Sequence, residues 1–220
     1  MAPRGIRKKE LLRAAELVFA ERGYHGATMR EITTAARVPL GLSNYYFGSK
    51  EKLFEAVLEE RQPQLVSLQD DALTELLARN PEPGVEEVIE AYVSAHMSLV
   101  RTDEGWRNHF RILYQVAGSD DRDRLGALLF PPHGAVAKRY VAVLSRALPA
   151  IEIEAIRRAL ILVRMLRVSF ITESLTGRAH PDIDRLSLDT TPELVRFCAA
   201  GFLASVGAEA RARARETAKS

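Results

Sequence analysis

The sequence predicts an all-α fold in two parts: a three-helix N-terminal domain at residues 1–52 and a larger helical domain at residues 53–220. Apolar residues recur at three- and four-residue spacing through most of the chain, which is typical of amphipathic helices. No stretch alternates apolar and polar residues as a half-buried strand does. Clusters of Gly, Pro, Asn and Asp separate the periodic stretches, so each stretch reads as one helix.

The composition is that of an ordinary globular protein. Hydrophobic residues make up 47% of the 220 positions and charged residues 27%. No apolar run is long enough for a membrane span, and the basic N-terminus lacks the apolar segment of a signal peptide. The single cysteine, Cys198, excludes an internal disulfide and fits a reducing compartment. We therefore expect a cytoplasmic protein with no membrane partner.

Positive charge is concentrated at the N-terminus. Residues 1–50 hold nine Lys or Arg against four Glu, an excess of five positive charges. The remainder must carry a net charge of −3 to give the total of +2. A basic module joined to a mildly acidic body indicates local phosphate binding.

The first helix is predicted at residues 6–22, where apolar residues form one stripe. Gly23 follows, at the position where a left-handed residue commonly ends a helix. We expect this helix to pack on the segment after it and to supply most of the small domain's core. The expected core residues are Phe19, Ile32, Val38 and Phe47.

Thr28 begins a stretch of two short helices joined by a tight turn. Its spacing from Glu31 is that of a capping box, and Pro39 suits the first turn of the second helix. That helix carries Tyr45 and Tyr46, and two adjacent tyrosines cannot both face one core. A helix-turn-helix unit bound to DNA explains this layout, because its second helix enters the major groove while flanking groups hold phosphates.

Several segments of this stretch resemble the TetR family of bacterial transcriptional repressors. They are, in order, FAERGY at 19–24, GATMREI at 26–32, Gly41 and YYFGSK at 45–50. The resemblance covers residues 6–58, and the rest of the chain matches only in length and helical character. It implies a homodimeric repressor whose C-terminal domain senses an unknown small-molecule effector and which binds a palindromic operator in double-stranded DNA.

Side-chain chemistry and the resemblance together predict the surface that contacts DNA. Tyrosine hydroxyls and the Lys50 ammonium suit phosphate contacts. Leu42 offers apolar contact to a thymine methyl, and Asn44 can pair with adenine. The predicted DNA-binding residues are Thr28, Arg30, Pro39, Leu40, Gly41, Leu42, Asn44, Tyr45, Tyr46 and Lys50.

Some of these positions have a second interpretation or depart from the family pattern. Thr28 is an N-cap in any case, and Arg30 is as readily a solvated arginine as a groove contact. Arg37 stands where the turn commonly has Gly, so a positive φ there would be strained. Asn44 replaces a frequent Tyr, and Ser43 occupies a position that is usually apolar and inward. These changes make the operator sequence unpredictable.

The remaining helices follow without a flexible linker. One runs from Ser49 to the Asn80–Gly84 stretch with a kink or brief break expected at Pro63, and it links the two domains mechanically. The fifth helix beyond Gly84 should begin with Thr191 as its N-cap, and the chain after residue 210 should fray. The five helices after Gly84 are predicted at 85–101, 104–117, 122–148 with a disturbance at 131–132, 151–175 and 191–207.

A ligand pocket in the second domain is implied by the resemblance. Core packing remains the more frequent role for each aromatic residue in it. Arg164 and Arg167 lie in an apolar run, and buried arginines need partners. We expect internal pairing with Glu173 or an Asp, with an anionic effector as the alternative. The candidate ligand-binding residues are Tyr92, His96, Trp106, Phe110, Tyr114, Tyr140, Arg164 and Phe170.

Small residues in the last helix are candidates for self-association, since they let helices approach closely. Burial within one subunit is the alternative, and the resemblance favours a dimer built from the last two helices of each chain. Two recognition helices would then meet half-sites roughly 34–36 Å apart or a multiple of that. The candidate interface residues are Phe197, Ala200, Gly201 and Ala204.

Catalytic signatures are missing from the sequence. It has no nucleophile elbow, P-loop, dinucleotide fingerprint or zinc-protease motif, and its five histidines lack metal-ligand spacing. We therefore expect no catalytic residues, no metal and no cofactor. The alternatives to a DNA-binding regulator are an all-helical interaction protein and a helical enzyme without DNA binding.

Overall fold

A computed structural model describes residues 4–117, 134–176 and 188–217. Across these ranges every long element is an α-helix and none is a strand, so the predicted all-α fold is confirmed. A short 3₁₀ turn, Leu188–Thr190, precedes the last helix. The helices are α1 Arg4–Gly26, α2 Met29–Ala35, α3 Leu40–Phe47, α4 Lys50–Arg79, α5 Val85–Ser94, α6 Met97–Thr102, α7 Glu104–Ala117, α8 Ala135–Ala147, α9 Ile153–Thr176 and α10 Thr191–Thr217.

The described residues form two compact units. The first holds residues 4–64 and 102–117, and the second holds residues 65–101, 134–176 and 188–217. The first unit therefore contains α1, α2, α3, the first half of α4 and all of α7. It is larger than the domain predicted from sequence, which ended at residue 52.

Packing on α1 explains this larger unit. Phe54 near the start of α4 is 1% exposed, and its ring meets Phe19 of α1 edge to face at 4.8 Å between centroids. Helix α7 also packs along α1, and the amide of Gln115 donates a 2.9 Å hydrogen bond to the carbonyl of Ala20. Of the other expected core residues, Ile32 and Phe47 are buried and Val38 is half-buried.

Two helices differ from the prediction in where they are interrupted. Helix α4 continues through Pro63, where a kink or brief break was expected, so the break does not occur: burial of the residues on either side, such as Leu58 and Leu65, outweighs the lost backbone bond. The single helix predicted at 85–101 is instead two, α5 and α6, separated by a turn at Ala95 and His96. Side chains bind backbone at this turn: Arg167 donates to the carbonyl of Tyr92, and the His96 ring nitrogen Nε2 lies 3.2 Å from the carbonyl of Leu65.

The other helix ends follow the sequence signals closely. Helix α7 has the predicted bounds, and α10 begins at Thr191 as expected. Helix α10 reaches Thr217 and does not stop at residue 207, because its last turns are rich in Ala and Arg, which favour helix. The predicted helix start at 122 and the disturbance at 131–132 lie outside the described residues.

Helices α5, α8, α9 and α10 supply the core of the second unit. Tyr92 and Tyr140 meet edge to face within it, 4.9 Å between ring centroids. None of the helices that the structure describes is long and apolar enough to span a bilayer. Fully buried core residues include Val88, Ile89, Val93, Tyr140, Leu144, Ile156 and Ile171.

Candidate nucleic-acid interface

The start of α2 is fixed by the predicted capping box. The hydroxyl oxygen of Thr28 accepts a 3.2 Å hydrogen bond from the backbone N–H of Glu31, and the Glu31 carboxylate accepts one from the N–H of Thr28 at 3.0 Å. The Thr28 side chain and backbone bonds lower the pKa of Glu31, and Arg22 at 2.8 Å adds to this. The cap holds the first turn of α2 in place at the protein surface.

The turn between α2 and α3 carries the strain that the sequence suggested. Arg37 has φ 53°, the left-handed region that glycine adopts more easily. Its N–H bonds the carbonyl of Thr34, and the N–H of Val38 bonds the carbonyl of Thr33, both at 3.0 Å. These bonds fix the angle between the two helices, and the arginine backbone costs about 1–2 kcal/mol.

Helix α3 has a distinct outer face. Tyr45 is 64% exposed and Leu40 41%, and Asn44 is exposed beside them. Gly41 lies on the same face, and a Cβ placed there would meet no atom within 4 Å. A helix with polar, aromatic and glycine positions facing solvent is suited to lie in a DNA groove.

The inner face of α3 packs against the unit. Ser43 is fully buried and Phe47 is 8% exposed. The Ser43 hydroxyl has no hydrogen-bond partner among the described residues, so this departure from an apolar residue carries a cost. Leu42 and Tyr46 are half-buried at the edges of the helix, and the Tyr46 ring lies 5.4 Å from that of Tyr45.

Lys50 has a structural role that the sequence did not show. Its ammonium donates to the carbonyls of Tyr24 at 2.8 Å and Ala27 at 3.0 Å, and it lies 4.6 Å above the Tyr24 ring. The carbonyls at the end of α1 supply the negative field that a lysine in the first turn of α4 needs. The predicted phosphate contact of Lys50 would have to use its one remaining ammonium hydrogen.

One basic side chain lies near the end of α3, and others are exposed elsewhere on the first unit. The Lys8 ammonium lies 5.6 Å from the Phe47 ring, which places positive charge near the end of α3. Three of the predicted DNA-binding residues that lie outside α3 are exposed as well: Thr28, Arg30 and Pro39. Exposed basic residues of the first unit include Lys8, Lys9, Arg13, Arg22, Arg30 and Arg37.

The eight residues predicted for a ligand pocket are divided between the two units. Trp106, Phe110 and Tyr114 belong to α7 in the first unit, where the first two are buried and Tyr114 is 38% exposed. The other five belong to the second unit, where Arg164 is half-buried and the remaining four are buried. They are Tyr92, His96, Tyr140, Arg164 and Phe170.

Arg167 differs from its sequence-based expectation. It is 3% exposed, its Nη1 donates a 2.6 Å hydrogen bond to the carbonyl of Tyr92, and its guanidinium lies 4.6 Å from the Tyr92 ring centroid. Pairing with Glu173 or an Asp is wrong for Arg167, which forms no ion pair in the described part of the chain. Burial lowers the pKa of Arg167, and the like charge of Arg164 lowers it further.

An apolar surface covers one side of α9 and α10. Phe197 is 68% exposed, Met165 60% and Leu162 57%. A groove of about 200 Å³ between the two helices has Phe197 and Gly201 in its lining. All four predicted interface residues, Phe197, Ala200, Gly201 and Ala204, are exposed on α10.

Two family sequence models match the chain. The model described as "Bacterial regulatory proteins, tetR family" matches residues 11–57, which include the helix-turn-helix unit. The model described as "Tetracyclin repressor-like, C-terminal domain" matches residues 90–201, or 112 of the 220 residues.

Curated relatives are regulators of transcription. The activator FasR of Mycolicibacterium smegmatis is 45% identical over 65 residues, 30% of either chain. The repressor NicS of Pseudomonas putida is 35% identical over 82 residues, 37% of this chain and 38% of NicS. The repressor AcnR of Corynebacterium diphtheriae is 29% identical over 121 residues, 49% of this chain and 60% of AcnR. The matches therefore span 30% to 60% of the length of these relatives.

Solved structures share the fold. The fatty acid degradation regulator FadR from Bacillus halodurans aligns with a TM-score of 0.60 at 19% identity, covering 91% of this chain and 97% of that one. FadR from Bacillus subtilis, solved in complex with stearoyl-CoA, aligns with a TM-score of 0.58 at 20% identity, covering 88% and 98%. With the two family matches and the helix-turn-helix geometry, they lead to one conclusion: this chain belongs to the TetR family of bacterial regulatory proteins.

Proposed function

We propose that the protein is a dimeric transcriptional repressor that binds a palindromic operator and leaves it when a small molecule binds the second unit. The observation that carries the proposal is the outer face of α3. Exposed Tyr45, Leu40, Asn44 and Gly41 stand on a short helix held by a capped partner helix, within the part of the chain that matches the family's N-terminal model. That surface supports regulation of transcription through DNA binding.

Contacts to DNA divide into two kinds. Asn44, Gly41 and Leu42 are proposed to reach base edges, where an amide pairs with adenine and a leucine meets a thymine methyl. Tyr45, Tyr46 and the predicted flanking groups Thr28 and Lys50 are proposed to hold phosphates, which sets the register of the helix. The exposed basic residues of the first unit supply the salt-dependent part of the affinity.

Dimerisation is supported by the apolar surface of α9 and α10. A monomer rarely leaves a large contiguous apolar patch in water, and Leu162, Met165 and Phe197 are each more than half exposed. Small residues beside them let a second pair of helices approach closely. A two-fold dimer presents two α3 helices to half-sites about 34–36 Å apart or a multiple of that.

Release by a small molecule is supported by the relatives. FadR from Bacillus subtilis was solved with stearoyl-CoA, and its fold matches 88% of the present chain. Two of the three relatives described above are repressors and one is an activator, so we propose repression. An effector acts by binding more tightly to the conformation whose half-site spacing does not fit the operator.

Retention of genomic fragments tests the proposal directly. Immobilised protein is mixed with sheared genomic DNA from its source, and the fragments it retains are sequenced and titrated at several salt concentrations. We expect a small set of palindromic fragments whose affinity falls linearly with salt on logarithmic axes. Retention of no fragment, or an affinity independent of salt, would favour the interaction-protein alternative.

A matched pair of tyrosine variants locates the contact. Tyr45→Ala should lower the affinity for the retained fragments about tenfold or more, because a hydrogen bond to a charged phosphate is lost from each subunit. Tyr114→Ala removes another partly exposed tyrosine, on α7, and should leave affinity unchanged. Equal affinities for the two variants would contradict the placement of α3 in the groove.

A further inference from the structure

Arg167 of α9 is a buried cation that has no balancing anion among the residues that the structure describes. Its side chain is 3% exposed, in a unit whose core is built from aliphatic and aromatic residues. Moving a guanidinium out of water costs several kcal/mol unless a carboxylate and hydrogen bonds compensate. Arg167 therefore needs an explanation that the rest of the core does not.

The bonds that Arg167 makes use little of its capacity. A guanidinium has five N–H donors in a planar fork, which matches the two oxygens of a carboxylate. Nη1 donates to the carbonyl of Tyr92 at 2.6 Å, and the ring of Tyr92 covers one face of the group. The Nε nitrogen is buried and has no hydrogen-bond partner in the ranges that the structure covers.

The ionisable groups around Arg167 do not balance its charge. Arg164 adds a second positive charge, and the other three neighbours are Tyr92, Tyr140 and Cys198. Burial raises the pKa of Tyr140 above its usual value and that of the Cys198 thiol to about 11. Tyr140 and Cys198 are therefore neutral at physiological pH, so the positive charge of Arg167 remains available to an anion.

We propose that Arg167 binds the acidic group of the effector, and that the effector is an organic carboxylate with an apolar body. This inference rests on the proposed function in one respect, that the second unit binds an effector. The guanidinium fork recognises a carboxylate through two parallel hydrogen bonds. An apolar body is required because the neighbouring side chains, such as Tyr92 and Tyr140, offer aromatic surface and few polar groups.

The position of Arg167 also indicates how such a ligand would act on the protein. Tyr92 lies in the last turn of α5, just before the turn at Ala95 and His96 that separates α5 from α6. A positive side chain at a helix C-terminus stabilises that end by satisfying its carbonyl groups. A carboxylate bound to Arg167 competes with the Tyr92 carbonyl for the same donors. The end of α5 is then the element that responds to the ligand.

Thermal unfolding with matched ligand pairs tests this inference. The full chain is melted with butyrate, octanoate, laurate, palmitate and phenylacetate, each compared with its own primary amide. We expect at least one carboxylate to raise the Tm by several degrees while its amide does not, because a ligand that binds only the folded state stabilises it. If no carboxylate exceeds its amide, the inference is overturned.

Variants on α9 separate a binding role from a packing role. Arg167→Met keeps most of the volume and should abolish the difference between acid and amide, and Arg167→Lys should retain part of it. Arg157→Met removes a partly exposed arginine paired with Glu154 on the same helix and should keep the full difference. A full difference in Arg167→Met would contradict the assignment, even if the variant itself melts at another temperature.

Addition of the active carboxylate to the protein–DNA complex distinguishes this inference from the proposed function. Release of retained fragments from the unsubstituted protein, with no release from Arg167→Met, supports both. Fragment retention with no acid-specific rise in Tm leaves DNA binding standing and overturns the role of Arg167. An acid-specific rise in Tm without fragment retention supports the Arg167 site and contradicts the proposed regulator.

Discussion

Arg61 in the first unit and Arg167 in the second unit are alike in surroundings and opposite in charge balance. Each guanidinium lies over an aromatic ring, 4.7 Å from Trp106 for Arg61 and 4.6 Å from Tyr92 for Arg167. Arg61 also binds both oxygens of Glu16, with Nε at 2.5 Å and Nη2 at 2.9 Å. Arg167 instead donates to the carbonyl of Tyr92, and no carboxylate pairs with it in the described part of the chain.

The directions of the two pKa shifts follow from this difference. Burial lowers the pKa of both arginines. For Arg61 the hydrogen bonds and charge of Glu16, with a weaker contribution from Asp103 at 3.9 Å, outweigh burial, and the pKa of Arg61 is raised. For Arg167 burial, with the like charge of Arg164, outweighs the opposing contributions of Tyr92, Tyr140 and Cys198, and the pKa of Arg167 is lowered. An arginine that is stacked on a ring and paired with a carboxylate stabilises the fold. A stacked arginine that lacks a carboxylate partner can instead bind an anion.

The largest expected effect comes from making Arg61 resemble Arg167. Glu16→Gln removes the acid and leaves a mostly buried guanidinium without its partner charge. We expect a loss of about 2–3 kcal/mol in the free energy of unfolding, measured by urea titration, since breaking a buried pair exposes its full desolvation cost. Glu154→Gln breaks the more exposed pair with Arg157 and should cost less than about 1 kcal/mol. Equal losses in the two variants would show that the Arg61 pair is no stronger than a surface pair.

A second expected effect is a pH dependence of the free energy of unfolding, and it arises in the unit that contains Arg61. His109 of α7 is fully buried, and desolvation, followed by the charge of Arg61, lowers its pKa from 6.5 to about 3. As pH falls below 6.5, His109 binds a proton in the unfolded chain but not in the folded chain. Stability that is present above pH 6.5 is therefore lost toward pH 3. The free energy of unfolding should fall by about 2 kcal/mol between about pH 7 and pH 5.

His109→Phe isolates this contribution. The variant keeps an aromatic ring beside Trp106 and Phe110 and removes the titrating group. Its free energy of unfolding should change less between these two pH values than that of the unsubstituted protein. An unchanged pH dependence in His109→Phe would assign the loss to other groups.

The smallest expected effect comes from introducing a carboxylate side chain next to Arg167. Cys198 lies close enough to Arg167 for the arginine to lower its pKa against the effect of burial. A buried Asp ordinarily destabilises a protein more than a buried Asn. At position 198 we expect the reverse order, with Cys198→Asp more stable than Cys198→Asn by about 1 kcal/mol in urea unfolding.

Position 199 provides the control for this reversal. Ala199 is also buried on α10, at 4% exposure, and is not among the groups that act on Arg167. Ala199→Asp should be less stable than Ala199→Asn. If Asp is the worse substitution at both positions, Arg167 does not act as an uncompensated charge.

Local signals made much of the fold predictable. Thr28 with Glu31 and Pro39 each specify a helix start through groups within a few residues, and the structure has these starts. Gly23, the expected end of the first helix, has φ 71° and forms a kink inside α1. The strain at Arg37 was visible for the same reason, because a turn position that favours glycine held another residue. Helix starts and stops of this kind depend on short-range hydrogen bonds, which the order of residues shows directly.

Partners distant in sequence explain what was missed. Lys50 donates to Tyr24, 26 positions away, and Arg167 to Tyr92, 75 positions away. Neither distance leaves a pattern in one sequence, so the sequence predicts a phosphate contact for Lys50 and an acidic partner within the protein for Arg167. The break between α5 and α6 was missed for the same reason, since the groups that bind at the turn come from other helices.

The open space above Gly41 bears on how the recognition surface can diverge. A side chain added there meets no protein atom within 4 Å and replaces the residue with the greatest backbone freedom in α3. Alanine or another good helix former would thus raise helix stability while it introduces a new group on the face proposed to meet DNA bases. Duplicated copies of this gene could acquire new target sites through this codon alone, without any compensating change in the rest of the chain.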